Sequence, residues 1–210
     1  ASSTVLAKVM KYVNEEMNEW KLGNPAATND VKVVGPCMVH KAQTAQDIME
    51  AAEKAGATVV RRGGKVTGSY GDHAEVIAPI ILSGVRPGMK ITVNWDGRGE
   101  KTSDLTTTEF FMPILLGMEL KNFDEFLNFC LFHNTHDLAV SVWSKNNRTL
   151  DKGRKILAGM LKENDGTDSA LEWEEFGASC VGISGNMGVG DPEATFQIYC
   201  RRQKGRHVLF

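Results

Sequence analysis

Short apolar runs cut by glycine and proline constrain this chain most. VKVV (31–34), ATVVRR (57–62), EVIAPIILSG (75–84) and KITVN (90–94) are each short, and Gly35-Pro36, Gly63-Gly64, Pro79 and Pro87-Gly88 bound or interrupt them. In KITVN, Ile91 and Val93 share one face and Thr92 and Asn94 the other, the period of a half-buried strand. ATVVRR and KVTGSY flank Gly63-Gly64, which predicts a two-residue hairpin. EVIAPIILSG reads as a helix or strand interrupted by Pro79.

Helical periodicity runs between these segments. Val5, Val9, Val13 and Met17, with Leu6, Met10 and Trp20, fall on one face of a helix over 4–20 that Gly23 and Pro25 end. This helix packs on its own domain or grips a neighbouring subunit as an arm. AQDIMEAAEKAG predicts a second helix, capped by Thr44 and closed by Gly56. Residues 104–118 predict a helix broken by Pro113, and FDEFLNFCLFHN (123–134) a buried one. DLAVSVWS predicts a strand, KNNRTLDKG a turn, RKILAGMLKEN a helix, and the last quarter two strands around a glycine-rich loop. Strands and helices without strict βαβ alternation predict an α+β fold of mixed and antiparallel strands. The expected division is an amino-terminal helix or arm over 1–22 and one α+β domain over 31–210, divisible into lobes at 31–108 and 109–210.

A net charge of −2 over 210 residues excludes a uniformly basic nucleic-acid binder but leaves local basic segments open. Four sparse cysteines and the lack of an apolar span or leader predict a reduced, cytoplasmic protein. Basic residues gather at Arg61, Arg62 and Lys65, at Arg148, Lys152, Arg154 and Lys155, and in the tail at Arg201, Arg202, Lys204 and Arg206, while 163–193 carries acids without lysine or arginine. Such segments suit phosphate backbones, and an acidic stretch beside a basic tail suits head-to-tail association of identical subunits.

Chemistry-bearing motifs are few. Cys37-x-x-His40 recurs as Cys130-x-x-His133, with His136 and Asp137 following, and cysteine with histidine is a zinc-ligand combination; the second pair lies on an apolar helix, where cysteine is an ordinary core residue. GISGNMGVGD lacks the lysine and serine of a phosphate loop and the spacing of a dinucleotide fingerprint. No cofactor is expected from these motifs.

Over 31–108, VHKAQTAQDIMEAAEKAGATVVRRGGK and SGVRPGMKITVNWDGRGE resemble the HPr phosphocarrier family, in which a histidine at a helix start accepts a phosphoryl group. The resemblance implies that role for His40. It departs from the family's pattern at Lys41-Ala42-Gln43, where an arginine and a proline belong. The residues themselves point first to a non-enzymatic, self-associating protein of the coat or nucleocapsid kind, viral and RNA-contacting through its basic segments. Phosphoryl acceptance at His40 is the alternative.

Overall fold

The computed structural model describes residues 3–24, 26, 28–30, 32–38, 41–69, 74–133, 139–157 and 160–166. The chain forms two compact units, Ala1–Asn122 and Phe123–Phe210.

The first unit opens with α1 (Ser3–Glu16), continued by a 3-10 turn, Met17–Glu19. Short β1 (Lys21–Leu22) and β2 (Val33–Val34) pair in parallel. β3 (Pro36–Met38) leads into α2 (Lys41–Lys54). Seven strands follow: β4 (Thr58–Arg61), β5 (Gly64–Ser69), β6 (Ala74–Ala78), β7 (Ile80–Val85), β8 (Lys90–Asn94), β9 (Glu100–Asp104) and β10 (Ile114–Met118). With β3 they form three sheets: β10-β7-β4, in which β10 runs parallel and β4 antiparallel to β7; the antiparallel β3-β6-β5; and the antiparallel pair β8-β9. Mixed sheets with packed helices and an amino-terminal helix make this an α+β fold, as the sequence predicts.

α2 is the keel. Ala42, Ala45, Ile48, Met49 and Ala52 repeat at helical spacing and are fully buried, facing Ile80 and Leu82 of β7 and Ile91 and Val93 of β8. Small residues on this stripe let the strands approach closely. Gly56, at φ +100°, ends the helix, with Ala57 N–H donating to the Ala52 carbonyl and Gly56 N–H to that of Glu53.

α1 packs against β4, β7 and β10 of its own chain. Met10 is its buried residue and lies where a side chain at Gly117 would stand, while Val5 and Val9 of the predicted apolar face are exposed. Arg61 holds the carboxyl end of α1: its guanidinium donates to the Asn14 carbonyl (3.4 Å) and side-chain oxygen (3.3 Å), the Asn18 side chain (2.8 Å) and the Met17 carbonyl (3.2 Å). A cation there answers the helix's unpaired carbonyls and the negative end of its dipole. Arg61→Ala is expected to cost about 2 kcal/mol, seen as a fall of roughly 4–8 °C in thermal midpoint, with the loss confined to α1 in hydrogen exchange.

Two local expectations here fail for identifiable reasons, and the expected break at Pro79 holds. Gly63-Gly64 makes no hairpin: β4 joins β7 and β5 joins β6, so the two glycines carry the chain between sheets. The same division falls at Pro79, which separates β6 from β7 because it lacks the N–H a continuous strand would need. Residues 105–113 are an irregular loop before β10, not a helix, and proline at 113 disfavours helical backbone at Met112.

In the second unit, α3 (Phe123–Phe132) and β11 (Ala139–Val142) form where expected, but α3 is not a buried helix: Leu127 is its buried residue, and Leu131 and Phe132 are exposed. α4 (Asn147–Ile156) replaces the predicted turn, because the Asn146 side chain accepts the Arg148 N–H and caps the helix there. MLKE, expected to be helical, is β12 (Met160–Glu163), parallel to β11. Leu127, Val142, Leu150 and Leu157 form the core of this unit. No helix among the described residues is long and apolar enough to cross a membrane.

Candidate functional site

Polar side chains converge on the first turn of α2. Lys41 Nζ lies 2.8 Å from Asp96 Oδ2, with the two side chains only 10% and 19% exposed. Thr44, one turn on, donates its hydroxyl to Asp96 Oδ1 (3.2 Å) and accepts the Asp96 N–H (3.0 Å). Asp96 sits in the 3-10 turn Trp95–Gly97 between β8 and β9 at φ 52°, and these three contacts hold that left-handed backbone in place. Burial alone would raise the Asp96 carboxyl; the Lys41 ammonium and the Thr44 hydroxyl outweigh it and keep the group below its ordinary value. From the other side, Glu75 on β6 accepts the Ala42 N–H at 3.2 Å.

The helix start therefore faces two carboxylates of its own chain. That is the physical case against a phosphoryl site at this turn: the positive end of the helix is already answered, and a phosphate would meet Glu75 and Asp96 as like charges. His40 lies outside the described residues. Cys37 pairs on β3 opposite Glu75, and burial together with that carboxylate pushes its thiol up, away from the thiolate needed for nucleophilic attack or metal binding.

The turn leads to a second feature. Trp95 packs on Phe110, with ring centroids 5.8 Å apart, and Lys101 Nζ lies 5.6 Å from the Trp95 ring centroid. Phe110 is buried. Its neighbour Phe111 is 73% exposed and has φ 54°. A left-handed phenylalanine costs on the order of 1–3 kcal/mol. Asp96 and Asn164, the other described non-glycine residues with positive φ, have local compensation; the Asn164 side chain accepts the Ser144 N–H and its own N–H reaches the Val142 carbonyl. Phe111 keeps this backbone with its side chain exposed to solvent. The sequence signal for it was Pro113 behind two phenylalanines and a threonine run, which a helical reading of 104–118 obscured.

The sequence-derived basic candidates are placed differently. Arg61 is committed to α1. Arg62 pairs with both Glu53 carboxylate oxygens at 2.8 Å. Lys152 pairs with Asp124, and Arg154 with Asp151 and Glu163. Lys65, Arg148 and Lys155 are exposed. Arg201, Arg202, Lys204 and Arg206 lie outside the described residues. Of the zinc candidates, Cys130 packs against the second unit's core and His133 stacks on Phe129 at 6.0 Å. Among the described residues no three histidine, cysteine or acidic side chains cluster as metal ligands.

Comparison with known proteins identifies the fold. The family model described as the aldehyde dehydrogenase family matches residues 1–189. Among solved structures, lactaldehyde dehydrogenase from Escherichia coli is 21% identical with a TM-score of 0.73, over 94% of this chain and 37% of its own. Aldehyde dehydrogenase 21 from Physcomitrella patens, solved with succinate, is 17% identical with a TM-score of 0.70, over 93% and 36%. A Sinorhizobium meliloti protein described as a methylmalonate-semialdehyde dehydrogenase, solved with NAD, is 19% identical with a TM-score of 0.67, over 85% and 33%. This chain thus spans about a third of each relative's length. No curated protein sequence matches it.

These matches overturn the phosphocarrier resemblance and the coat or nucleocapsid reading with its viral and RNA-binding corollaries. The strand–helix order over 31–108 that resembled a phosphocarrier is the α2 keel with its flanking strands, and four of the basic side chains meant for RNA are spent on partners within the chain. Matched from residue 1 to 189, the chain belongs to the aldehyde dehydrogenase family.

Proposed function

We propose that this chain contributes to the nicotinamide-dependent oxidation of an aldehyde and that the Phe111 loop faces the cofactor's nicotinamide end. The observation that carries the reading is the exposed, left-handed Phe111: uncompensated backbone strain persists where a ligand contact selects it. A solved relative of the same fold holds NAD.

The described residues fit one end of such a cofactor. Phe111 offers an aromatic face to a flat ring, and buried Phe110, packed at a tilt against Trp95, anchors the loop beside it. Nothing in the first turn of α2 suits the diphosphate, because Glu75 and Asp96 already stand there. When bound, such a cofactor would supply the hydride acceptor for oxidation of an aldehyde and water to a carboxylic acid, with protons released to solvent. The role assigned to this chain's own residues is positioning. The chain of contacts from Lys41 through Asp96 and Trp95 to Phe110 holds Phe111 out from the body of the unit. Neither described cysteine is set up as a nucleophile, since Cys37 is held as a thiol and Cys130 is packed into a core.

Saturation-transfer NMR with NAD tests the reading. The nicotinamide protons are expected to receive saturation from the protein and to lose it in Phe111→Ala. Saturation confined to the adenine protons, or unchanged by the substitution, would remove Phe111 from the site.

A further inference from the structure

β10 has the composition of a central strand and the position of an edge strand. Its residues, Ile114-Leu115-Leu116-Gly117-Met118, are apolar or glycine, and among the described strands it pairs with β7 alone, in parallel. Parallel strands ordinarily lie inside a sheet, and open edges are guarded by charge or proline. The other edges of the three sheets follow that rule. β4 carries Arg61, β5 Lys65, β8 Lys90, and β9 Glu100, Lys101 and Asp104, while β3 opens on Pro36. β10 has no charged side chain.

The edge has backbone groups to offer. Ile80 N–H donates to the Pro113 carbonyl at 2.9 Å, so the ladder to β7 uses the backbone of Pro113, Leu115 and Gly117. Leu116 turns its N–H and carbonyl to the opposite side, where no described strand pairs with them. α1 extends that side. Asn14 and Asn18 face Arg61 of β4, Met10 lies over Gly117 of β10, and Val9 stands about 100° further round the helix, beyond the strand. Val13 and Met17 fall between Met10 and Val9 and, with Leu115, line an open apolar cleft. Val5, Val9 and Tyr12 continue it as an exposed stripe.

An occupant must therefore meet directional hydrogen-bonding groups at the edge and apolar side chains above it. A hydrocarbon ligand meets only the second. A second copy of this chain meets both. Two β10 edges related by a two-fold axis at Leu116 exchange a pair of N–H···O=C bonds between their Leu116 residues. The same axis runs the two α1 helices antiparallel with their Val9 flanks turned toward each other. α1 carries Lys8 and Lys11 ahead of Glu15 and Glu16, so antiparallel copies bring opposite charges together.

We infer that β10 is a self-association edge, pairing antiparallel with β10 of a second copy to give a continuous six-stranded sheet. The inference stands on β10 and α1 alone and is independent of the cofactor reading.

Sedimentation equilibrium and ¹H–¹⁵N NMR amide exchange on the full chain test it together. A monomer–dimer equilibrium is expected, with a dissociation constant on the order of 10 µM for an edge-sized interface. Leu115→Lys puts a charge beside the edge at an exposed position and should weaken the dimer at least about tenfold, and Val9→Lys at least about threefold, with unchanged far-ultraviolet circular dichroism. Raising the protein concentration tenfold above the dissociation constant should slow exchange of the Leu116 amide about fivefold, while the Leu115 and Gly117 amides, already bonded to β7, keep their rates. A chain still monomeric at about 500 µM overturns the proposal. So does a dimer that leaves Leu116 exchange unchanged or is indifferent to Leu115→Lys, since its copies would meet elsewhere.

Discussion

Gly63→Ala is expected to destabilise the first unit by at least about 4 kcal/mol, enough to leave it largely unfolded. A Cβ at this position would run into the carbonyl oxygens of Ala78 and Pro79 and stand 2.7 Å from the Pro79 carbonyl carbon. All three are backbone atoms, so no side chain can swing away. They also lie where β6 gives way to β7, and each strand is fixed by its own sheet. Gly64→Ala is the matched control. Gly64 has φ +98°, yet its new Cβ would meet the tip of the flexible Gln46 side chain, so a cost of about 1–2 kcal/mol is expected from backbone strain. Denaturant melts of the two variants separate crowding from strain; equal costs would show that the crossing at Ala78–Pro79 yields.

Lys41→Met should cost about 3 kcal/mol, because it leaves the Asp96 carboxylate in a largely dry site with Thr44 as its remaining side-chain partner. The double variant Lys41→Met with Asp96→Asn should recover much of that loss, since no charge is left unpaired. The pH dependence has a definite sign. The Asp96 carboxyl is held below its ordinary value in the folded chain. Its contribution is therefore complete above the unfolded value of about 4 and declines as pH falls through the lower folded value. Acid titration of stability below pH 4 should be shallower in Asp96→Asn than in the parent chain. An equal slope would mean that the Lys41 pair contributes nothing to acid sensitivity.

Where local spacing governs, the sequence was legible. Ile91 and Val93 alternate with Thr92 and Asn94 and are buried and exposed accordingly; Gly56 closes α2 as expected. α1 was half legible: its period is helical and Met10 of the predicted face is buried against Gly117, but Val5 and Val9 of that face are exposed. Pairing between distant segments was not legible. Gly63-Gly64 carries the local signature of a hairpin, and only the competing strands β6 and β7 draw β4 and β5 apart. The α4 boundary turned on a single cap at Asn146. At the candidate site, Lys41, Asp96 and Phe111 are separated by up to 70 positions and share no motif, so the Lys41–Asp96 ion pair and the Trp95–Phe110 contact beside Phe111 appear only once α2 and the β8-β9 turn pack together. Charge clusters misled because long basic side chains find acids and carbonyls within the chain, as Arg61 and Arg154 do.

On the proposed function, Phe111 keeps a costly backbone conformation in order to meet a bound ring. Replacing it with glycine measures both sides at once, because glycine adopts positive φ without strain and little buried area is lost. Phe111→Gly is expected to gain about 1 kcal/mol in denaturant unfolding while NAD loses its nicotinamide contact in saturation transfer. A variant that is less stable, with the nicotinamide contact intact, would make Phe111 a structural residue and contradict the claim.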